Sequence, residues 1–156
     1  MNVRTPLFDR LVDRDPQPEP HLQRELRPMR TLDRRGLKKS VRRELEQLFN
    51  TRCPVAQHHL LGRQRSVIDY GIPDLAIFSA RSHDDRLRIA EILRQAIVAY
   101  EPRLIDPRVV VEQVPGEELA LMARIEARMI TDTVPEPVLF LSVLQLKEGE
   151  VSVHEE

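Results

Sequence analysis

Tyr100-Glu101-Pro102-Arg103-Leu104 is the stretch at which this 156-residue chain changes character. Upstream of it apolar residues recur at helical spacing, and downstream they alternate, so a helix hands over to a sheet here. Pro102 fixes the handover. Its ring locks φ, it has no N–H to donate, and it pushes Glu101 away from the αR region, so the helix is expected to stop at or just before Glu101. Read locally, Glu101 and Arg103 form a surface ion pair either side of a stiff corner, worth about 0 to 1 kcal/mol.

Upstream, a helix is expected from Ser82 or Asp84 to Tyr100. Ile89, Ala90, Leu93, Ala96, Ile97 and Tyr100 make its apolar stripe, and Asp84 and Asp85 lie where the helix dipole favours acids. A second helix is expected over Asp33 to Phe49, with Asp33 as N-cap and Leu37, Val41, Leu45 and Leu48 on one face. Asn50 to Pro54 is expected to end it, with Pro54 as the breaker. Between the two helices, Ser66 to Leu75 reads as a helical turn closed by Gly71 in an αL cap, with Pro73 just beyond. Tyr70, Gly71, Pro73 and Asp74 then make a structural corner, Asp74 capping or anchoring the next loop.

Downstream of Leu104, three strands are expected. They are Arg108 to Val114, Glu118 to Thr131 and Val138 to Leu146, joined by turns at Pro115-Gly116 and Thr133 to Pro137. Leu119, Leu121, Ala123, Ile125, Ala127 and Met129 alternate along the middle one, and short connections imply antiparallel neighbours. The fold class is therefore α+β: two main amphipathic helices packed on a three-stranded antiparallel β-meander. Residues 31–156 form a single unit of this kind. Residues 1–30 hold many charges and five of the twelve prolines, and are expected to be an extended N-terminal arm. Leu7, Phe8 and Leu11 could there form one apolar face that docks on a partner or on the domain.

Composition narrows the function. The net charge of −1 hides an asymmetry: residues 1–65 hold 15 Lys and Arg against 8 Asp and Glu, whereas the remainder holds 9 against 17. Such a chain suits partners of opposite charge at its two ends. Cys53 is the single cysteine, which excludes an internal disulfide and fits a reducing compartment. The first fifteen residues have no apolar signal-like core, and no apolar run approaches the roughly 20 residues that span a bilayer. A cytoplasmic location is expected.

Catalytic chemistry finds little to use. There is no glycine-rich phosphate loop, no nucleophile elbow and no helical histidine pair. Cys53, His58 and His59 match no common zinc spacing, and no fourth ligand accompanies them. Glu101 and Asp106 are two of 25 acids, so their proximity in sequence is no evidence of a glycosidase pair. No enzyme, cofactor, metal or small-molecule substrate is expected. Arg35, Lys38, Lys39, Arg42 and Arg43 line one face of the first helix, which leaves nucleic-acid binding as an alternative.

Asn50-Thr51-Arg52, Tyr70-Gly71-Ile72-Pro73-Asp74-Leu75 and Glu101-Pro102-Arg103-Leu104, in this order and at these gaps, resemble the TssE family. These are baseplate subunits of the bacterial type VI secretion system, related to the lysozyme-named wedge proteins of contractile phage tails. Pro6 to Leu11 is similar to the family's short N-terminal motif, and Glu136-Pro137-Val138 opens the last strand as in relatives. Ile72 stands where commoner members carry Leu, and Gln57 to Leu61 departs from the pattern.

The resemblance implies a structural subunit of a membrane-docked baseplate. It implies wedge partners TssF, TssG and TssK, and the sheath proteins TssB and TssC, whose polymerisation the subunit nucleates. Glu101, Pro102 and Arg103 match the motif of the sheath-nucleating surface, with Arg103 offering a bidentate donor. The lysozyme label leaves peptidoglycan hydrolysis as a further alternative, without a matched catalytic pair.

Overall fold

A computed structural model of the chain describes residues 3–4, 31–55, 57–60, 64–117, 119–131, 134–147 and 149–155. Leu7, Phe8, Leu11 and most of the expected arm lie outside the described residues. Within it, β1 (Val3–Arg4) pairs antiparallel with β2 (Thr31–Leu32).

Helix α1 (Arg34–Asn50) starts as the sequence predicts: Asp33 caps it, accepting a 2.7 Å hydrogen bond from the Gly36 amide. Its Leu37, Val41, Leu45 and Leu48 stripe is buried, joined by Phe49. A short helix α2 (Gln57–Leu60) and a 3₁₀ turn at Val67–Asp69 lead to α3 (His83–Tyr100). Ser82 caps α3, accepting from the Asp85 amide at 3.2 Å, and the helix ends at Tyr100, as Pro102 dictates. Its buried stripe holds Ile89, Ala90, Leu93, Ala96 and Ile97 as expected and adds Ile92, while Tyr100 at its end is only partly buried.

The sheet runs β3 (Leu104–Gln113), β4 (Ala120–Met129), β5 (Glu136–Gln145) and β6 (Val151–Glu155), in sequence order and antiparallel throughout. The α+β class and the meander are as expected; the strand count is not. The fourth strand is short, with only Val151 and Val153 turned inward, too brief an alternation to stand out in the sequence. Both long helices cover one face of the sheet, α1 beside β6 and α3 beside β3. Between the layers lies one aliphatic core, in which Leu45, Phe49, Ile89, Leu93, Ile125 and Phe140 are fully enclosed.

β3 also begins earlier than predicted, because a bulge accommodates its proline. The register with β4 shifts between Ile105 and Arg108, and Asp106 takes a positive φ of 51° just before Pro107. Across the bulge the inward phase changes. Leu104 is buried before it, and Pro107 and Val111 after it, so even and odd positions both reach the core. Arg128 on β4 closes an ion pair over the bulge to Asp106.

Candidate functional site

Three sequence stretches far apart in the chain converge at the ends of the helices. Asn50 closes α1, and the two residues after it run beside Ile72 in a parallel bridge between Arg52 and Ile72. The Cys53 amide donates to the Ile72 carbonyl at 2.8 Å and the Ile72 amide to the Thr51 carbonyl at 3.0 Å. Gly71 makes this approach possible: its φ is +108°, and a Cβ there would stand 2.3 Å from the Thr51 carbonyl oxygen. The glycine is demanded by close contact between two backbones as well as by its place after the 3₁₀ turn. Asp74 accepts from the Ala76 amide at 3.1 Å and lies 3.6 Å from Arg52. Pro73 is half-buried between them and Leu75 is buried.

Tyr70 links this corner to the end of α3. Its ring meets that of Tyr100 edge-on at 5.1 Å, and the Tyr100 hydroxyl donates to the Ser66 carbonyl at 2.8 Å. Burial pushes the Tyr70 hydroxyl above its ordinary pKa, and the negative charges of Glu44 and Glu101 add to the shift.

At the corner itself the ion pair is buried rather than superficial. Glu101 is 3% exposed. Arg103 donates to it twice from the guanidinium, Nε to Oε1 at 2.7 Å and Nη2 to Oε2 at 2.5 Å, and once more from its backbone amide at 3.1 Å. The remaining nitrogen, Nη1, donates at 3.0 Å to Ser40 Oγ on α1. The bidentate fork read from the sequence as an offer to a partner is thus engaged within the chain. It clamps the end of α3 to the buried face of α1. Pro102 between them is exposed, and the Arg103 side chain still reaches solvent at 21%. Sequence reasoning missed Ser40. Its position three residues after Leu37, on the apolar face, was the available signal.

The alternatives find less support in the geometry. Arg42 on the basic face of α1 is engaged with Glu46 at 3.1 Å and Glu155 at 3.8 Å, so it is no free phosphate contact. Cys53 and His58 line one groove with Pro73, Ile77 and Phe78, and the His58 and His59 rings lie 4.0 Å apart. No group of three or more metal-ligating side chains occurs among the described residues. Asp106 faces Arg128, not Glu101.

Away from the corner, β3 presents a strand edge. The Val114 amide donates to the Ala120 carbonyl, so residues of even number pair with β4 and the amides and carbonyls of Val109, Val111 and Gln113 turn outward. Beside them a mainly apolar groove of about 370 Å³ runs between strand and helix, lined by Leu87, Ala90, Val109, Val110 and Val111 together with His83, Arg86, Glu112 and Gln113.

The model of the family described as baseplate wedge protein gp25 matches residues 35–134, more than half of the chain. The chain belongs to that family. The match runs from the start of α1 past the end of β4, and so includes every motif of the corner just described. The wedge family expected from those motifs is the one found. A solved structure described as the baseplate complex from the type VI secretion system holds a chain 19% identical to this wedge protein. The alignment covers 70% of this chain and 94% of that one, with a TM-score of 0.49. Among curated proteins no match was found.

Proposed function

We propose that this wedge protein is the TssE-like subunit of a type VI secretion baseplate and starts the contractile sheath by lending the edge of β3 to a strand of the first sheath subunit. The outward backbone groups of Val109, Val111 and Gln113, beside an apolar groove, carry this reading. An added strand would satisfy them by main-chain pairing, and the groove would take its alternate side chains. Asp106 and Pro107 limit the usable edge to the residues after the bulge.

In this reading Glu101, Pro102 and Arg103 flank the incoming sheath. Pro102 and the solvent-reaching side of Arg103 make the contact, and Glu101 holds Arg103 from within. TssB and TssC are the sheath partners. TssF, TssG and TssK are the wedge partners, met at other surfaces on the cytoplasmic side of the membrane, with Leu7, Phe8 and Leu11 of the arm as one docking element. Residues 31–156 act as one unit.

The test is a proline placed where it removes only an outward N–H. Gln113→Pro and Val109→Pro leave the β4 hydrogen bonds intact. Each variant is expected to fold and to co-purify with the wedge proteins, yet to support few or no sheaths when it replaces the natural subunit in cells. Sheaths of normal number and length from a folded double variant would overturn the proposal.

A further inference from the structure

The sheet has two outer strands, and they are not equivalent. On β3 the outward backbone groups of Val109, Val111 and Gln113 have no partner among the described residues. On β6 those of Val151 and Val153 are engaged, and by side chains. The Val151 amide donates to Asn50 Oδ1 at 2.9 Å, while Asn50 Nδ2 donates to the Val151 carbonyl at 2.7 Å. Two residues on, the Val153 carbonyl accepts from Arg42 Nη1 at 3.1 Å and its amide makes a long 3.5 Å contact to Glu46 Oε1. Asn50, Glu46 and Arg42 are spaced at successive turns of α1, so one face of the helix runs along the strand edge.

We infer that α1 is a side-chain seal on β6, with Asn50 its central residue, and that it restricts strand addition to the opposite edge. The chemistry of the amide makes Asn50 suited to this. Toward the strand it presents one donor and one acceptor, the same pair that a peptide unit of a neighbouring strand would present. Asn50 is held in place: Nδ2 also donates to the Glu46 carbonyl at 2.8 Å, and the chain just after it is pinned by Thr51 and Cys53 bonding to Ile72. Arg42 is steadied by Glu46 and Glu155 on either side.

A sheet with two bare edges can stack edge to edge without limit, β3 of one copy on β6 of the next, because such a head-to-tail contact does not close. Sealing one edge prevents that filament while leaving the other edge usable. The seal is a property of this chain alone, and it holds whatever strand β3 receives.

The experiment uses the full chain, with amide hydrogen exchange by NMR and sedimentation over a range of concentrations. In the unaltered protein the Val151 and Val153 amides are expected to exchange at least about tenfold more slowly than those of Val109, Val111 and Gln113. Asn50→Ala combined with Arg42→Ala is expected to keep the helical circular dichroism, to lose that protection at low concentration, and to self-associate as concentration rises. Asn50→Asp keeps the acceptor and loses the donor, so it should retain protection at Val151. Equal exchange at the two edges of the unaltered protein would overturn the inference. So would a folded double variant that stays monomeric throughout the range. Should the double variant not fold, the unaltered protein and Asn50→Asp decide the matter: loss of Val151 protection in Asn50→Asp would count against Asn50 as the seal.

Discussion

The Gly71 backbone lies so close to Thr51 that a Cβ on the glycine would come within 2.3 Å of the Thr51 carbonyl oxygen. The obstacle is backbone, which cannot swing aside as a side-chain tip can. The φ of +108° is one that alanine adopts only under strain. Gly71→Ala should therefore destabilise the fold by about 2 to 4 kcal/mol, read as a lowered urea midpoint. A midpoint within error of the unaltered protein would show that the two segments do not meet as described.

Arg103→Ala tests the clamp. Sequence alone suggests that the fold should survive it unchanged, but the substitution leaves the enclosed Glu101 carboxylate without its partner. The expected cost is about 2 to 4 kcal/mol, below that of a fully enclosed pair because the guanidinium reaches solvent. Adding Glu101→Leu should recover much of the loss, since the stranded charge is then gone. Denaturation of the single and double variants checks this, and no recovery in the double variant would assign the loss to packing instead.

Tyr70 should mark the alkaline limit. Its hydroxyl holds its proton to higher pH in the folded state than in the unfolded chain, where tyrosine titrates near about 10. Its contribution is thus fully present below that unfolded value and is lost as pH rises through the folded one. Tyr70→Phe should unfold less readily with rising pH in that window. Ultraviolet titration of phenolate formation should show a late-ionising signal, and Tyr70→Phe should remove it.

Ser142 sits wholly enclosed on β5, and its hydroxyl has no hydrogen-bond partner among the described residues. Removing an unpaired polar atom relieves a desolvation cost, so Ser142→Ala should be neutral or stabilising by up to about 1 kcal/mol. A loss of more than that in thermal melts would reveal a partner for the hydroxyl.

Much of this architecture was legible from local signals. Asp33 and Ser82 mark helix starts with side chains that bond only three residues ahead, and the Leu121 to Met129 alternation needs no knowledge of its neighbours. Pro102 ended α3 as its ring requires. What escaped were relationships between distant residues: Ser40 under Arg103, 63 positions away, and Thr51 against Gly71. β6 escaped because two inward valines are too few to establish a period, and it is completed by side chains from α1. The start of β3 escaped because a proline argues against a strand unless a bulge is known to receive it. At the candidate site, the pairing of Glu101 with Arg103 was legible from their places either side of Pro102, but its burial was not, because that depends on α1 packing over the corner.

The bulge at Asp106 and Pro107 gives β3 two reading frames. Leu104, beside the clamp, is set on even numbering, whereas Val109 and Val111, beside the groove, are set on odd. The corner and the edge can therefore be varied in composition independently, but not in spacing. Loss of one residue at the bulge would merge the frames into a single regular alternation with Leu104 and Val109 still on one face, whereas loss of a residue elsewhere in the strand would turn part of it inside out.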